Sequence, residues 1–223
     1  MTNINLLKNA FINKDLLDQA LTHRSWVNEH KGERQSNERM EFLGDAILEF
    51  VVSKEIYLLY PDKEEGYLTA LRANLVNTTA LFEIAEKLDL GPNLFLSKGE
   101  EDGGGRNNPS LLADTLEAII GAAFIDRGLT GAEEFIQKNI LINAEEKASK
   151  PLKDFKSRLQ EYVQAKGFSA PKYQVIEESG PDHNKKFIIE VVVNGEAWGR
   201  GEGKNKSTAE QEAACKVLTK RVQ

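Results

Sequence analysis

The fold of this chain is decided by the stretch Ser36-Asn37-Glu38-Arg39-Met40-Glu41-Phe42-Leu43-Gly44-Asp45-Ala46-Ile47-Leu48-Glu49-Phe50. At helical pitch, Glu38, Glu41 and Asp45 fall on one arc of a helix. The opposite arc carries only apolar side chains, namely Met40, Leu43, Ile47 and Phe50. The pattern therefore predicts a helix with one acidic face and one apolar face.

A second segment, Leu111–Ile125, is apolar nearly all round except for Asp114 and Glu117, which stand one helical turn apart. Charged side chains in such a helix are costly unless they are paired or coordinate a metal. Acids at this spacing also occur on ordinary solvated helix faces, but the apolar surroundings and the second acidic helix favour a metal. We therefore predict that the two helices together form a divalent-cation site.

The overall composition is that of an ordinary globular protein of one or two domains. The chain has 223 residues, of which 40% are hydrophobic and 29% are charged. It shows no signal peptide and no apolar run of the roughly 18 residues that a membrane span needs. The single Cys215 excludes an internal disulfide framework and a multi-cysteine zinc site. We predict a cytoplasmic protein with no membrane partner.

The charges are divided unevenly along the chain. Residues 150–223 contain 14 Lys and Arg against 10 Asp and Glu, whereas the remainder contains 15 against 25. The net charge of −6 therefore hides an acidic body and a basic C-terminal module. That division keeps a nucleic-acid partner possible for an acidic protein.

Helical periodicity runs through most of the first 143 residues, and few alternating β-branched runs interrupt it. The predicted helices are Asp15–Ala20, Asn37–Leu59, Gly66–Asn77, Thr79–Leu88, Ser110–Ile125 and Gly131–Ile142. This pattern predicts an all-α domain over residues 1–145, followed by a small, charged linker over residues 146–151.

Residues 152–221 show a different order of elements. An apolar stripe at helical spacing comes first, made of Leu152, Phe155, Leu159 and Val163. Three strand candidates follow, at Tyr173–Glu178, Phe187–Val193 and Ala197–Gly201, and Asn194-Gly195 between the last two is a hairpin signal. A helix over Lys206–Lys220 ends the domain, with Ala209, Ala213, Val217 and Leu218 toward the sheet. The predicted order is α-β-β-β-α.

Several of these segments resemble known motifs. The stretch from Asn37 to Ala46 closely resembles the signature of the ribonuclease III family, and Leu111–Gly121 resembles that family's second acidic motif. The segment Thr22-His23-Arg24-Ser25-Trp26 is similar to the family's early loop. The C-terminal module resembles a double-stranded RNA-binding domain at Leu159-Gln160-Glu161, Gly180–His183 and Ala209–Ala214. The resemblance implies two domains: an all-α ribonuclease III-type catalytic domain followed by an α-β-β-β-α (α+β) double-stranded RNA-binding domain.

The resemblance also implies a function. It implies a homodimeric endoribonuclease that hydrolyses double-stranded RNA with Mg²⁺, for which Mn²⁺ is a substitute, and that needs no organic cofactor. The products would carry 5′-phosphates and short 3′ overhangs, and the substrates would include ribosomal, messenger and other structured precursors. By motif position, Glu41, Asp114 and Glu117 would be metal ligands. Asp45 and Glu117 would be catalytic, with Asp45 orienting water held by the metal.

The sequence also supports expectations for three further residues. Glu38 and Glu65 match acids that lie near the subunit boundary in the family, although both fit ordinary surface acids equally well. We expect His23 to hold its loop through hydrogen bonds rather than to transfer protons.

The RNA contacts are expected to read the shape of the duplex, because A-form RNA hides its base edges in a deep groove. The residues predicted to bind RNA are Ser157, Gln160, Glu161, His183, Lys186, Lys204 and Lys206. One departure from the family matters: Ser207 stands where a second basic residue is common, and Asn205 stands at a usual Ser position. Asn205 can still cap the final helix.

Two other functional classes fit parts of the sequence. The chain could be a duplex-RNA-binding protein that uses its helical domain only to dimerise, but all four acids of the cluster are present. It could also be a metal phosphohydrolase for small phosphoesters, but the basic module would then have no purpose.

Overall fold

The computed structural model describes residues 3–149, 155–181 and 185–221 of the chain. The chain divides into two compact units, Met1–Leu152 and Lys153–Gln223. The first unit is helical and the second combines helices with a sheet, which confirms the predicted fold class.

The first unit is built from helices joined by short turns. They are α1 (Asn3–Ala10), α2 (Lys14–Ala20), α3 (Arg24–Glu29), α4 (Glu38–Leu59), α5 (Glu65–Val76), α6 (Thr78–Lys87), α7 (Lys98–Asp102), α8 (Pro109–Asn139) and α9 (Ala144–Ser149). Three short 3-10 turns lie at Gly91–Asn93, Gly105–Asn107 and Leu141–Asn143. Among the described helices, none is both long and apolar enough to cross a membrane.

The two acidic segments form the central helices of this unit, α4 and α8. Helix α8 breaks at Arg127 and Gly128, where the backbone is non-helical and Gly128 has a φ of 66°. The break separates the two helices that the sequence predicts for this region. Gly128 can occupy the break because glycine adopts that conformation without strain. The N-terminal half of α8 is buried nearly all round, as its apolar sequence predicts.

The buried face of α4 differs from the predicted one at its C-terminal end. Met40 and Ile47 are buried and Leu43 is half-buried, but Phe50 is 55% exposed. Because α8 crosses α4 at Gly44, the face of α4 toward the core continues through Leu48 instead. The prediction for Phe50 is therefore wrong, and its ring adds to the apolar surface of the unit.

Part of the predicted linker is helical. Residues 146–149 belong to α9, which lies against α5: the Tyr67 hydroxyl donates to the Ala148 carbonyl and Lys147 Nζ donates to the Asn74 carbonyl. Small, charged residues are as compatible with a short helix as with a linker, and these contacts to α5 favour the helix. Residues 150 and 151 lie outside the described residues.

The second unit has the predicted order of elements. It consists of α10 (Phe155–Ala165), β1 (Lys172–Ser179), β2 (Lys186–Val193), β3 (Glu196–Gly203) and α11 (Lys206–Arg221). The strands form an antiparallel sheet in the order β1-β2-β3. Asn194 and Gly195 both have positive φ angles, 49° and 84°, as the predicted hairpin turn requires. Ala209, Ala213, Val217 and Leu218 of α11 are buried, as predicted.

Candidate active site

Three carboxylates from the two central helices converge at one place. Glu41 of α4 and Asp114 and Glu117 of α8 each offer an oxygen, and these oxygens lie within 4.8 Å of one another. Glu41 and Glu117 are half-buried, whereas Asp114 is exposed on its residue average. The motif resemblance implies that these three residues are metal ligands, and the structure brings them together.

The acids of this cluster are poorly compensated. Burial, followed by repulsion from Asp45, Asp114 and Glu41, raises the pKa of Glu117 to about 7. The pKa of Glu41 is raised first by burial and then by Asp114, and burial also raises the pKa of Asp114. Among the described residues, no Lys or Arg forms an ion pair with any of the three. His23 partly offsets the rise in the pKa of Asp114, but the cluster carries negative charge that no Lys or Arg among the described residues balances through an ion pair.

A divalent cation fits this arrangement. Mg²⁺ prefers carboxylate oxygens, and two oxygens on opposite sides of one ion lie about 4 Å apart. A spread of 4.8 Å allows direct coordination after a small side-chain adjustment, or coordination of one carboxylate through water. The raised pKa values point the same way, because a cation at this position would relieve the repulsion that raises them.

The other predicted acids lie at different distances from this cluster. Asp45 is exposed and close enough to raise the pKa values of both Glu41 and Glu117. Glu38 also adds to the repulsion on Glu41, but its carboxylate accepts from Arg24 at 3.1 Å and from Ser36 at 3.0 Å. Glu38 is thus already occupied by other partners.

Glu65 lies outside the carboxylate cluster. It begins α5, and its carboxylate accepts from the Thr69 hydroxyl at 2.9 Å. It lines an open cleft with Tyr57 and Arg72, among other residues. Within one chain, the structure gives Glu65 no contact with the metal-ligand candidates.

Two glycines set the distance between the acidic helices. A Cβ atom on Gly44 would lie 1.8 Å from the Glu117 carbonyl oxygen, and one on Gly121 would lie 2.2 Å from the Met40 carbonyl oxygen. Both obstacles are backbone atoms, which cannot swing aside as a side chain can. Gly44 lies between Glu41 and Asp45 on α4, so α4 and α8 touch where their acids meet. This role is not among the sequence-based predictions, although a glycine in the middle of a helix is itself a signal because it costs about 1 kcal/mol relative to Ala.

The start of α4 is fixed by a buried amide. Asn37 is 4% exposed; its backbone N–H donates to the Thr22 carbonyl and its side-chain amide donates to the Ala20 carbonyl. On the other helix, the Asn108 side chain accepts from the Ser110 and Leu111 amides and caps α8. These contacts hold Glu41 and Asp114 at fixed places along their helices.

In the second unit, those predicted RNA-binding residues that the structure describes are exposed. Ser157, Gln160 and Glu161 lie on the solvent side of α10, opposite the buried Leu159 and Val163. These three side chains are therefore on the side of α10 that faces away from the core of the unit.

The predicted basic contacts have different surroundings. Lys204 is exposed, and Lys206 is exposed at the first position of α11, which Asn205 caps by accepting from the Thr208 amide at 2.8 Å. Lys186 begins β2 and forms an ion pair with Glu202 at 2.6 Å, so part of its charge is already compensated. His183 lies outside the described residues.

The glycines that precede α11 have a packing role. A Cβ atom on Gly201 would lie 2.2 Å from the Ala213 amide nitrogen, and one on Gly203 would lie 2.5 Å from the Ala209 amide nitrogen. The lack of a side chain at these two positions of β3 allows α11 to pack directly against the strand backbone, so these glycines belong to the core of the unit.

Comparisons with known proteins agree with both units. Residues 13–144 match the family described as Ribonuclease-III-like, and residues 155–221 match the double-stranded RNA binding motif. Proteins named Ribonuclease 3 from Bacillus cereus strain G9842 and from Geobacillus sp. strain WCH70 are each 46% identical to the chain, over 95% and 94% of its length and 86% of theirs.

A solved structure extends this likeness to the fold. The nuclease domain of ribonuclease III from Campylobacter jejuni is 40% identical to the chain, with a TM-score of 0.57. The similarity covers 63% of this chain and 97% of that domain, and the structure is described as showing flexibility in a region involved in dimer formation. With both acidic helices and both sequence matches in place, the chain belongs to the ribonuclease III family.

Proposed function

We propose that this chain is a divalent-metal-dependent endoribonuclease that cuts double-stranded RNA, with Mg²⁺ as its metal and Mn²⁺ as a substitute. The observation that carries the proposal is the convergence of Glu41, Asp114 and Glu117 from two helices to within 4.8 Å. We further propose cleavage to 5′-phosphates and short 3′ overhangs in ribosomal and other structured precursors, in the cytoplasm.

The residues of the cluster would have distinct tasks. Glu41, Asp114 and Glu117 would hold the metal, which when bound lowers the pKa of water and neutralises charge on the phosphate. Asp45 is exposed beside the cluster and would orient the attacking water through its carboxylate. Glu117 is the most strongly perturbed of these acids, which supports assigning it the largest share of catalysis.

We assign dimerisation to the helical domain. Phe42 is 81% exposed and Phe50 is 55% exposed on α4, with Ala46 also exposed between them, four residues from each. An apolar stripe of this kind on a central helix is typical of an interface between protein chains. A second copy of the chain would bury it and would give one cluster per subunit.

The two domains would share the work. Residues 1–145 would cut and dimerise, residues 152–221 would bind the duplex, and residues 146–151 would join them. Ser157, Gln160, Glu161, Lys186, Lys204 and Lys206 would contact the 2′-hydroxyls and phosphates of the duplex, together with His183. Glu38 and Glu65 would lie near the subunit boundary.

The test is the variant Glu117→Gln, which keeps the size of the side chain and removes its charge. We expect it to lose at least about a thousandfold in cleavage rate with Mg²⁺, and to keep binding duplex RNA in a gel-shift assay. Glu134→Gln changes an exposed acid on the same helix and should cleave normally. Wild-type cleavage by Glu117→Gln would contradict the assignment. Cleavage of small phosphoesters but not of duplex RNA would contradict the substrate class.

A further inference from the structure

His23 uses one of its two ring nitrogens to hold its own loop. The Ser25 backbone N–H donates to His23 Nδ1 at 3.2 Å, and Ser25 Oγ lies 2.8 Å from the same nitrogen. Ser25 Oγ also accepts from the Ser97 backbone N–H at 3.0 Å, so its hydroxyl hydrogen is available for the ring. The predicted loop-holding role is confirmed.

These contacts decide which nitrogen carries the hydrogen. Two donors, an amide N–H and a hydroxyl, converge on Nδ1, so Nδ1 acts as an acceptor. In a neutral imidazole the other nitrogen then carries the proton. His23 therefore has an N–H donor at Nε2 that the loop does not use.

The side chain of His23 lines a cleft of about 340 Å³ beside the carboxylate cluster. Glu41 and Asp114 lie on this cleft, and Arg24 and Asn28 line it together with His23. Arg24 and Asn28 are exposed, and Arg24 balances Glu38 at 3.1 Å. The cleft therefore combines the acids that hold the metal with a group of hydrogen-bond donors.

We propose that this cleft receives the strand being cut, and that His23 Nε2–H donates to a phosphate oxygen of the nucleotide next to the scissile phosphate. The inference rests on the proposed nuclease function. A phosphodiester beside three carboxylates needs donors as well as a cation, because its own negative charge is repelled there. Fixing the adjoining phosphate fixes the scissile one, because consecutive phosphates are linked through one ribose.

Two substitutions separate this role from loop holding. In His23→Asn, the amide oxygen can still accept from the Ser25 N–H, but no donor reaches the position of Nε2. In His23→Gln, the longer side chain places an amide N–H near that position. We expect His23→Asn to cleave a duplex roughly 10–100-fold more slowly in single turnover with saturating protein, as for the loss of one hydrogen bond to a charged group. We expect His23→Gln to stay within about threefold of the wild-type rate although it loses the acceptor for the Ser25 N–H and therefore has a lower Tm, and we expect His23→Asn to keep the wild-type Tm.

A modified substrate gives a rate comparison that would not change if His23 only held its loop. Replacing one phosphate beside the cleavage site by a neutral methylphosphonate should slow the wild-type protein but slow His23→Asn much less, because the two changes remove the same interaction. Full additivity at every flanking phosphate would overturn the proposal, as would wild-type rates for His23→Asn. Equal losses of rate and Tm in both variants would also overturn it. An inactive wild-type protein would instead contradict the proposed function itself.

Discussion

The candidate active site and the RNA-binding domain use their acidic side chains in opposite ways. In the catalytic domain, Glu41, Asp114 and Glu117 are gathered together, and burial and mutual repulsion raise their pKa values. In the RNA-binding domain, acids are matched one by one with cations at 2.5–3.2 Å, in the pairs Lys156–Glu210, Lys185–Glu178, Lys186–Glu202, Arg200–Glu190 and Lys216–Glu212. A hydrogen bond from Lys185 lowers the pKa of Glu178, and one from the Glu202 amide lowers that of Glu212.

This difference follows from what each domain must attract. The candidate active site leaves its negative charge without an ion pair to Lys or Arg, so that a cation can balance it, although acids elsewhere in the catalytic domain are paired, as in Arg72–Glu49 and Arg106–Glu101. The RNA-binding domain pairs five of its acids with cations, and its excess of lysines and arginines gives it the net positive charge that attracts phosphates. Substitutions should therefore have large, shared effects in the first domain and small, separate effects in the second.

Apart from removal of an acid itself, the largest loss of cleavage rate is expected from Gly44→Ala. The added Cβ would meet the Glu117 carbonyl oxygen at 1.8 Å, so α4 and α8 must move apart. A shift of about 1 Å in a catalytic constellation can cost about a hundredfold in rate, and we expect a loss of that size. Single-turnover cleavage with saturating Mg²⁺ measures it, and overpacking should also cost about 1–3 kcal/mol of stability.

Gly91→Ala is the matched control for this variant. Its Cβ would meet the Arg106 carbonyl oxygen at 2.3 Å, which is a comparable backbone clash in the same domain but away from the acids. We expect Gly91→Ala to lower Tm in the same way while its folded fraction cleaves at the wild-type rate. If both variants lost activity equally at matched stability, the glycine crossing would have no specific role in the site.

The next prediction concerns the pH dependence of the stability of the catalytic domain. The folded pKa of Glu117 is about 7, above its ordinary value of 4.5, so folding favours the protonated carboxyl. Its stabilising contribution is therefore complete below pH 4.5 and is lost as the pH rises through 7. Without metal, Glu117→Gln should thus be more stable than wild type at pH 8, by about 1–2 kcal/mol after discounting for solvent screening, or roughly 5 °C in Tm. Below pH 4.5 the difference between the two proteins should disappear.

Addition of Mg²⁺ at pH 8 is the control for this prediction. A cation that binds the charged cluster stabilises the folded wild-type protein by mass action, and it should reverse the order of the two Tm values. Thermal unfolding followed by circular dichroism, with chelator and with Mg²⁺, measures both steps. A wild-type protein that is more stable than Glu117→Gln at pH 8 in chelator would show that the cluster is already compensated within the protein.

Most of the fold could be predicted from the sequence because its signals are local. The apolar stripes of α4 and α8, the Asn194-Gly195 turn and the alternation in β2 each report on neighbours a few residues apart. The acids Glu41 and Asp45 on α4 and Asp114 and Glu117 on α8 could also be recognised from the sequence, because charged side chains in apolar helices are costly unless they are paired or bind a metal. The cost of these charges in apolar helices already predicted a shared cation site, and the motif resemblance then assigned its individual ligands.

What could not be predicted depends on contacts between distant residues. The exposure of Phe50 follows from where α8 crosses α4, and the role of Gly44 follows from the carbonyl of a residue 73 positions later. The place of the His23 loop beside the acids depends on Ser97, whose backbone N–H donates to Ser25 Oγ across 72 positions of the chain. Such contacts leave no periodic trace in a single sequence, so only the assembled structure reveals them.

The smallest effect, and the one that tests the RNA-binding side of the comparison, is expected from Lys206→Ala. Lys206 is exposed at the start of α11, close to Lys204, and lies 5.9 Å from the centre of the Phe187 ring. It is near enough to Glu178 to help lower the pKa of that carboxyl, but it forms no ion pair among the described residues. We expect severalfold weaker binding to duplex RNA and a log–log salt dependence that is shallower by about one unit, equally for duplexes of different sequence.

Lys216→Ala removes a lysine of the same helix whose charge is met by Glu212 at 3.2 Å, and it should leave both quantities unchanged. Filter binding at several salt concentrations measures both variants. A loss confined to particular sequences would mean that this helix reads bases rather than the regular spacing of phosphates.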